Sequence, residues 1–241
     1  MKDKNIRILS TRPIDEMLVS KALKDNITID IISLIKTENT INDVIEKEIR
    51  ELASKSITAV FTSMNGAEAV IETLQKNKLQ PEWNIYCMGA ATQTLLNGYF
   101  IKATIAGTGK DATELAENII KTKVDKVVFF CGNQRREELP QLLQKNNMSV
   151  KEIVVYETNE IRVKIENSYK GILFFSPSAV KSFFSANSIP ADTVLFSIGD
   201  TTAAEIKKYS HNEIIVSEFP SKDKLVEIAE SYFDKTNKPN D

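Results

Sequence analysis

One strand-to-helix junction is written twice in this chain, and the two copies stand in rearranged surroundings. Phe61-Thr62-Ser63-Met64-Asn65-Gly66-Ala67 matches Phe174-Phe175-Ser176-Pro177-Ser178-Ala179-Val180. Tyr86-Cys87-Met88-Gly89-Ala90-Ala91-Thr92 matches Phe196-Ser197-Ile198-Gly199-Asp200-Thr201-Thr202, and Lys110-Asp111 before Leu115 answers Lys222-Asp223 before Leu225. A repeat of this length is one folded unit used twice, so the two halves share a fold. The last pair of units is displaced: residues 6–35 resemble 127–155, with Lys24-Asp25-Asn26 answering Lys145-Asn146-Asn147. The repeat is circularly permuted. Because connections between elements stay short, one domain must join residues 1–32 to 162–241, and the other, 40–154, is inserted into it. Segments 33–39 and 155–161 make the two crossings. Both are extended in character and run in opposite senses, so a two-stranded antiparallel ladder would satisfy their backbone groups.

Strand and helix periods alternate along the chain. Apolar, β-branched runs predict strands at 6–10, 27–35, 57–62, 84–88, 101–105, 126–130, 171–175, 193–198 and 213–216, with another reaching Val154-Val155-Tyr156. Helices are expected after Pro13, with Met17, Leu18 and Leu23 on the apolar face, and at 43–54, 67–76, 91–97, 112–121, 136–146, 178–186, 201–209 and 222–233. About ten strands are too many for one small sheet. Strands this continuously apolar are covered on both faces, as in parallel sheets flanked by helices. The expected class is therefore α/β: two similar doubly wound, flavodoxin-like parallel-sheet domains, one discontinuous, joined by a two-stranded antiparallel linker.

A formal net charge of -2 over 241 residues removes any general attraction to nucleic acid or to an anionic membrane. Cys87 and Cys131 lie in apolar runs without Cys-x-x-Cys or Cys/His spacing, so they read as buried, reduced thiols of a cytosolic protein, with no metal site. The chain passes from Met1-Lys2-Asp3-Lys4-Asn5 into a strand with no apolar stretch long enough for a signal peptide or a membrane span, and a cytoplasmic location is expected. The polar tail 235–241 is expected to fray.

In open parallel sheets, ligands bind beyond the carboxyl ends of the strands. Those ends carry Arg12; Thr62, Ser63 and Asn65; Gly89 and Thr92; Gly132, Asn133 and Arg136; Ser176 and Ser178; Gly199, Thr201 and Thr202. Hydroxyls and amides donate hydrogen bonds, glycine lets backbone N–H groups approach, and each following helix offers its positive end, so the set suits an anion. Ser, Thr and Asn are also the preferred helix N-caps, which accounts for any one of them without a ligand. Facing arrays in two domains would suit a large polyanion.

No Walker loop, dinucleotide fingerprint or Gly-x-Ser-x-Gly elbow is present. His211 falls in a polar turn and reads as a surface residue, Gly107-Thr108-Gly109 as a loop before a helix, and Trp83 as a packing residue. Arg135-Arg136 beside Glu137-Glu138 is either an intrahelical charge cluster or an anion contact. Tyr156 is either a hinge packing group or a residue of the chemistry. On these residues an enzyme and a non-enzymatic two-domain binding or sensor protein for a small anion both stand. A phospho-acceptor receiver would need acidic strand ends, where this chain has Ser, Thr and Gly.

Taken in order, Phe61-Thr62-Ser63, Met88-Gly89-Ala90-Ala91-Thr92, the run from Cys131-Gly132-Asn133 through Arg136 to Pro140, Val155-Tyr156-Glu157-Thr158, Phe175-Ser176-Pro177-Ser178 and Ile198-Gly199-Asp200-Thr201-Thr202 resemble the uroporphyrinogen-III synthase family. Met64-Asn65 departs from the family's usual proline, which Pro177 keeps. The resemblance implies cofactor-free cyclisation of the linear tetrapyrrole hydroxymethylbilane to uroporphyrinogen III, with ring D inverted through a spiro intermediate. It implies a polycarboxylate substrate, a monomer, and transient contact with the enzyme that supplies hydroxymethylbilane. It further implies that Tyr156 assists departure of the substrate hydroxyl, while the strand-end residues named above bind carboxylates.

Overall fold

The structure, a computed structural model of the chain, describes residues 6–219 and 221–237. The chain opens with β1 (Ile6–Ser10), α1 (Glu16–Lys24), β2 (Ile27–Ile31), β3 (Ile35–Asn39) and α2 (Asp43–Ala53). Then follow β4 (Thr58–Phe61), α3 (Met64–Lys76), β5 (Asn84–Met88), α4 (Ala90–Tyr99), β6 (Thr104–Gly109), α5 (Ala112–Ile120), β7 (Lys126–Gly132), α6 (Glu138–Lys145) and β8 (Ser149–Glu160). The last part holds β9 (Gly171–Phe174), α7 (Pro177–Phe184), β10 (Val194–Ser197), α8 (Asp200–Ile206), β11 (Ile214–Val216) and α9 (Lys222–Asn237).

These elements form two compact units. Unit 1 contains the described residues up to Lys36 and from Asn159 onward, and unit 2 spans Thr37–Thr158. The unit 1 sheet has the order β2-β1-β9-β10-β11, every neighbouring pair parallel. The unit 2 sheet reads β8-β7-β4-β5-β6 through parallel pairs, with β3 added beside β8. Counted from β1 in one and from β7 in the other, both follow the flavodoxin-like order 2-1-3-4-5. The circular permutation read from the repeat is thus visible as strand order. Two local details agree with it. Asn26, after α1, and Asn147, after α6, both take the left-handed conformation, with φ of 58° and 60°, as asparagine tolerates at a helix C-terminus.

The crossings pair with each other. Leu34 O accepts from Ile161 N–H (2.9 Å) and Val155 O from Thr40 N–H (3.1 Å), so one strand advances as the other retreats, and the ladder is antiparallel.

Each sheet has a core on both faces because successive side chains on a strand point to opposite sides. In unit 2, Ala59, Phe61, Val128 and Phe130 pack with α3 and Trp83, while Val60, Val127, Phe129 and Cys131 pack with α5 and α6. Trp83 is buried, stacks on Phe130 and donates its indole N–H to Leu52 O (3.1 Å), as a packing residue should. In unit 1, Ile8 and Leu173 face α1 and α9, and Leu9, Ile172 and Phe174 face α7 and α8.

Several local expectations are corrected. Segment 27–35 is not one strand but β2, a break at 32–34, and β3, which brings the described strands to eleven. The strand expected at 101–105 runs instead over Thr104–Gly109, so Gly107-Thr108-Gly109 is strand and not loop. Ile101 is 85% exposed, whereas a Cβ on Gly107 would lie 2.7 Å from the Tyr86 ring and one on Gly109 2.5 Å from Leu115 N. Close packing over bare backbone is what selects glycine there. On α1, Met17 and Leu23 are 80% and 59% exposed, and Ala22 faces the core in their place. Asp111 caps α5 from outside, whereas its repeat partner Asp223 lies within the first turn of α9. Of the tail expected to fray, Lys235 to Asn237 continue α9, and residues 238–241 lie outside the described part.

Both cysteines are buried and free. Burial first, and then the nearby Glu152 carboxylate, pushes the Cys131 thiol up to about 12, and burial raises Cys87 as well. At neutral pH the thiolate, which is the nucleophile, is therefore absent at Cys131. The native protein is expected to resist iodoacetamide at both positions, with alkylation appearing only on unfolding, as intact mass would record.

Candidate active site

In a 2-1-3-4-5 sheet the chain reverses direction between the first and third strands, and the crevice beyond their carboxyl ends is the expected ligand site. In unit 2 those strands are β7 and β4. A cavity of ≈ 350 Å³ opens there, lined among others by Thr62, Ser63, Gly132, Arg136 and Tyr156. The structure thus brings together five of the residues singled out in the sequence.

Tyr156 reaches this place through a slip in the sheet. Along β7 and β8, Cys131 lies opposite Val154 but Gly132 lies opposite Tyr156, so Val155 is the extra residue of a bulge. A bulge re-aims the side chains beyond it. The Tyr156 ring then rests on bare backbone: a Cβ on Gly132 would meet its Cζ at 2.4 Å, and one on Gly66 would meet its Cε1 at 3.6 Å. Its hydroxyl makes no hydrogen bond to any described residue. Tyr156 also borders a second hollow of ≈ 200 Å³, shared with Thr37, Asn39, Asn65, Glu68 and Glu72. Asn65 belongs to that hollow and not to the larger cavity.

The two arginines divide the roles left open above. Arg135 is tied down, pairing with Glu152 and, at 2.8 Å, with Glu137. The hydrogen bond to Glu152, more than any other influence, holds its guanidinium above an already high ordinary range. Arg136 is exposed on the cavity wall and has no ion pair among the described residues. Helix α6 begins only at Glu138, so the charge cluster is not intrahelical.

Asn133 is a correction. Its backbone N–H donates to Tyr156 O (3.2 Å) and is not left for a carboxylate, and its side-chain oxygen accepts from Thr158 N–H (2.9 Å), which leaves only the side-chain NH2 to donate. Ser63 and Ser176 are N-caps, accepting from Gly66 N–H (3.1 Å) and Ala179 N–H (3.2 Å). Each hydroxyl proton is still free to donate.

By contrast, α4 and α8 start at Gly89 and Gly199 with no side-chain cap. Their first N–H groups are therefore available to an anion. Gly89 has φ of 89°, a conformation that disfavours a side chain. Thr92 and Thr202, one turn in, are only 5% and 3% exposed, yet their hydroxyls bond to no described residue. Thr201 is exposed beside Thr202, and Ser178 is half-buried in the first turn of α7. At the unit 1 switch point, between β1 and β9, Arg12 lies over the Phe175 ring, 5.8 Å from its centroid, where a cation is favoured.

The family model for uroporphyrinogen-III synthase HemD matches residues 18–227. This chain belongs to the uroporphyrinogen-III synthase family. It is similar in fold to a crystal structure of a mutant uroporphyrinogen III synthase from the extremely thermophilic bacterium Thermus thermophilus, with a TM-score of 0.69 at 13% identity over 95% of this chain and 99% of that one. The uroporphyrinogen-III synthetase of Helicobacter pylori gives 0.68 at 16% identity, covering 94% and 99%. The synthase reaction of the family is a cyclisation in tetrapyrrole biosynthesis, and it is the activity of this chain; a non-enzymatic anion-binding or sensor role is not favoured.

The structure also adds cavity and strand-end residues that the sequence did not single out. Met88, Lys110 and Gln134 line the unit 2 cavity. In unit 1, Ser10, Ser197 and Ser217 donate to the carbonyls of Arg12, Gly199 and Phe219 at 2.6, 2.7 and 2.6 Å, each bending the chain just past its strand. Their signal in the sequence is a serine at or just past a strand's last residue. No helix among the described residues is long and apolar enough to cross a membrane.

Proposed function

We propose that Tyr156 donates the hydrogen bond or proton that carries away the hydroxyl of hydroxymethylbilane, and that the unpaired strand-end donors hold the substrate's carboxylates. The observation that supports this most is a tyrosine hydroxyl without a partner among the described residues, on a residue lining the same strand-end cavity as Arg136, which has no ion pair among them either. As the hydroxyl leaves ring A, taking up a proton to depart as water, an azafulvene remains. The substituted carbon of ring D bonds to the exposed methylene carbon and gives a spiro intermediate. Breaking the bond from the spiro carbon to the methylene that leads to ring C, and closing that methylene on the other, unsubstituted α-carbon of ring D, inverts the ring. Loss of the ring proton then restores aromaticity and replaces the one spent on water.

Most of the reactivity belongs to the substrate, so the protein's contribution is to favour one folded conformer over direct closure to the non-inverted isomer. Arg136, Ser63, Thr62 and the N–H groups near Gly132 and Gly89, with Thr92, are assigned to carboxylates. From unit 1 we assign Arg12, Ser176, Ser178, Gly199, Thr201 and Thr202 to the same substrate, and we keep Asn65 as a contact beside Tyr156. The protein is proposed to act as a cytoplasmic monomer that takes its unstable substrate by transient contact with the enzyme producing it.

Substitution of the donors tests this. Arg136→Ala, Thr92→Val and Thr202→Val are expected to raise KM with kcat kept, Arg136→Ala by about tenfold, since a hydrogen bond to a charged group contributes about 1.5–3 kcal/mol. Unchanged KM in all three variants would overturn the assignment.

A further inference from the structure

Past the bulge, the strand carrying Tyr156 is held by a short clamp. Asn133 N–H donates to Tyr156 O at 3.2 Å, Asn133 Oδ1 accepts from Thr158 N–H at 2.9 Å, and Gln134 Nε2 donates to Thr158 O at 2.9 Å. Two of these three bonds come from side chains and so depend on residue identity. All three act on backbone within two residues of Tyr156, just where the β7–β8 register has slipped and the strand keeps a regular ladder only on its opposite edge, with β3.

We infer that Asn133, supported by Gln134, is a positioning residue that fixes the Tyr156 backbone so that the ring stays seated over Gly132. This rests on the reading of Tyr156 as the proton donor. Asn133 acts here through its acceptor oxygen, a group that a carboxylate cannot use, while its side-chain NH2 has no partner among the described residues. Gln134 also lines the cavity beside Arg136, so the clamp and the carboxylate contacts share one loop.

A double-mutant cycle on the full chain separates the possibilities. Asn133→Ala is expected to lower kcat about tenfold or more, with KM within about twofold, because a small misplacement of a reacting group is costly. Asn133→Asp keeps an oxygen for Thr158 N–H and is expected to restore most of kcat. In the Tyr156→Phe background, Asn133→Ala should add little further loss. Wild-type kcat in Asn133→Ala, losses that multiply in the double variant, or an Asn133→Asp variant worse than Asn133→Ala with raised KM would each overturn the inference. The last of these would mark Asn133 as a carboxylate contact.

Tyr156 ring resonances, assigned by their disappearance in Tyr156→Phe, give a readout independent of turnover. They are expected to shift or broaden in Asn133→Ala and to return in Asn133→Asp, and unmoved signals would also overturn the clamp. If Tyr156→Phe alone keeps wild-type kcat, the proton-donor reading fails, and the ring resonances still decide whether the clamp exists.

Discussion

Tyr156→Phe is expected to lower kcat about a hundredfold, the lower end of what a positioned proton donor contributes, with KM and thermal midpoint close to wild type. The hydroxyl bonds to no described residue, so its removal breaks nothing within the fold, and the ring that packs against Gly132 and Gly66 is kept. A loss confined to kcat would identify an interaction made in the transition state and not in the ground state. Turnover at the wild-type rate would instead make Tyr156 a packing group of the bulged strand. Circular dichroism and the thermal midpoint report whether the fold is retained.

Gly132→Ala is expected to lower kcat by a comparable factor, about a hundredfold, and to cost about 1–3 kcal/mol of stability. Its Cβ would stand 2.4 Å from Tyr156 Cζ, 2.5 Å from Cε2 and 2.8 Å from the hydroxyl oxygen. No pair of atoms tolerates those separations, so the ring must leave its seat. The obstacle is the end of a side chain and not a buried backbone, so the fold should survive while the hydroxyl is displaced. Combining Gly132→Ala with Tyr156→Phe should then cost much less than the product of the two losses. Kinetics of the single and double variants, with chemical denaturation for stability, measure both parts.

The layout of the molecule is legible in the sequence because it depends on pattern. A repeat in permuted order, with strands apolar throughout, leaves few ways to bury two faces of two sheets, and the 2-1-3-4-5 order follows in each. Strand-end residues are legible for the same reason: Thr62, Ser63, Gly132 and Arg136 meet because the switch point brings β4 and β7 side by side.

What pattern does not carry is register. The bulge at Val155 decides which face Tyr156 takes, since a slip of one residue exchanges the two faces of a strand, and nothing in Val154-Val155-Tyr156 announces it. Asn133 reads as a free donor in the sequence because its type suits an anion. Only the folded chain turns its backbone N–H to Tyr156 and its side-chain oxygen to Thr158. Gly107 and Gly109 look like a loop because glycine alone carries no record of the Tyr86 ring and Leu115 that approach it. In each case the deciding contact comes from residues distant in sequence or from a shift in pairing.

The identity of the product tests the central claim most directly. Purified protein, coupled to the enzyme that makes hydroxymethylbilane, is incubated to completion, and the uroporphyrinogen isomers are oxidised and separated by chromatography. The type III isomer should dominate in proportion to active protein. Type I alone, the isomer of direct closure without inversion of ring D, would contradict the account.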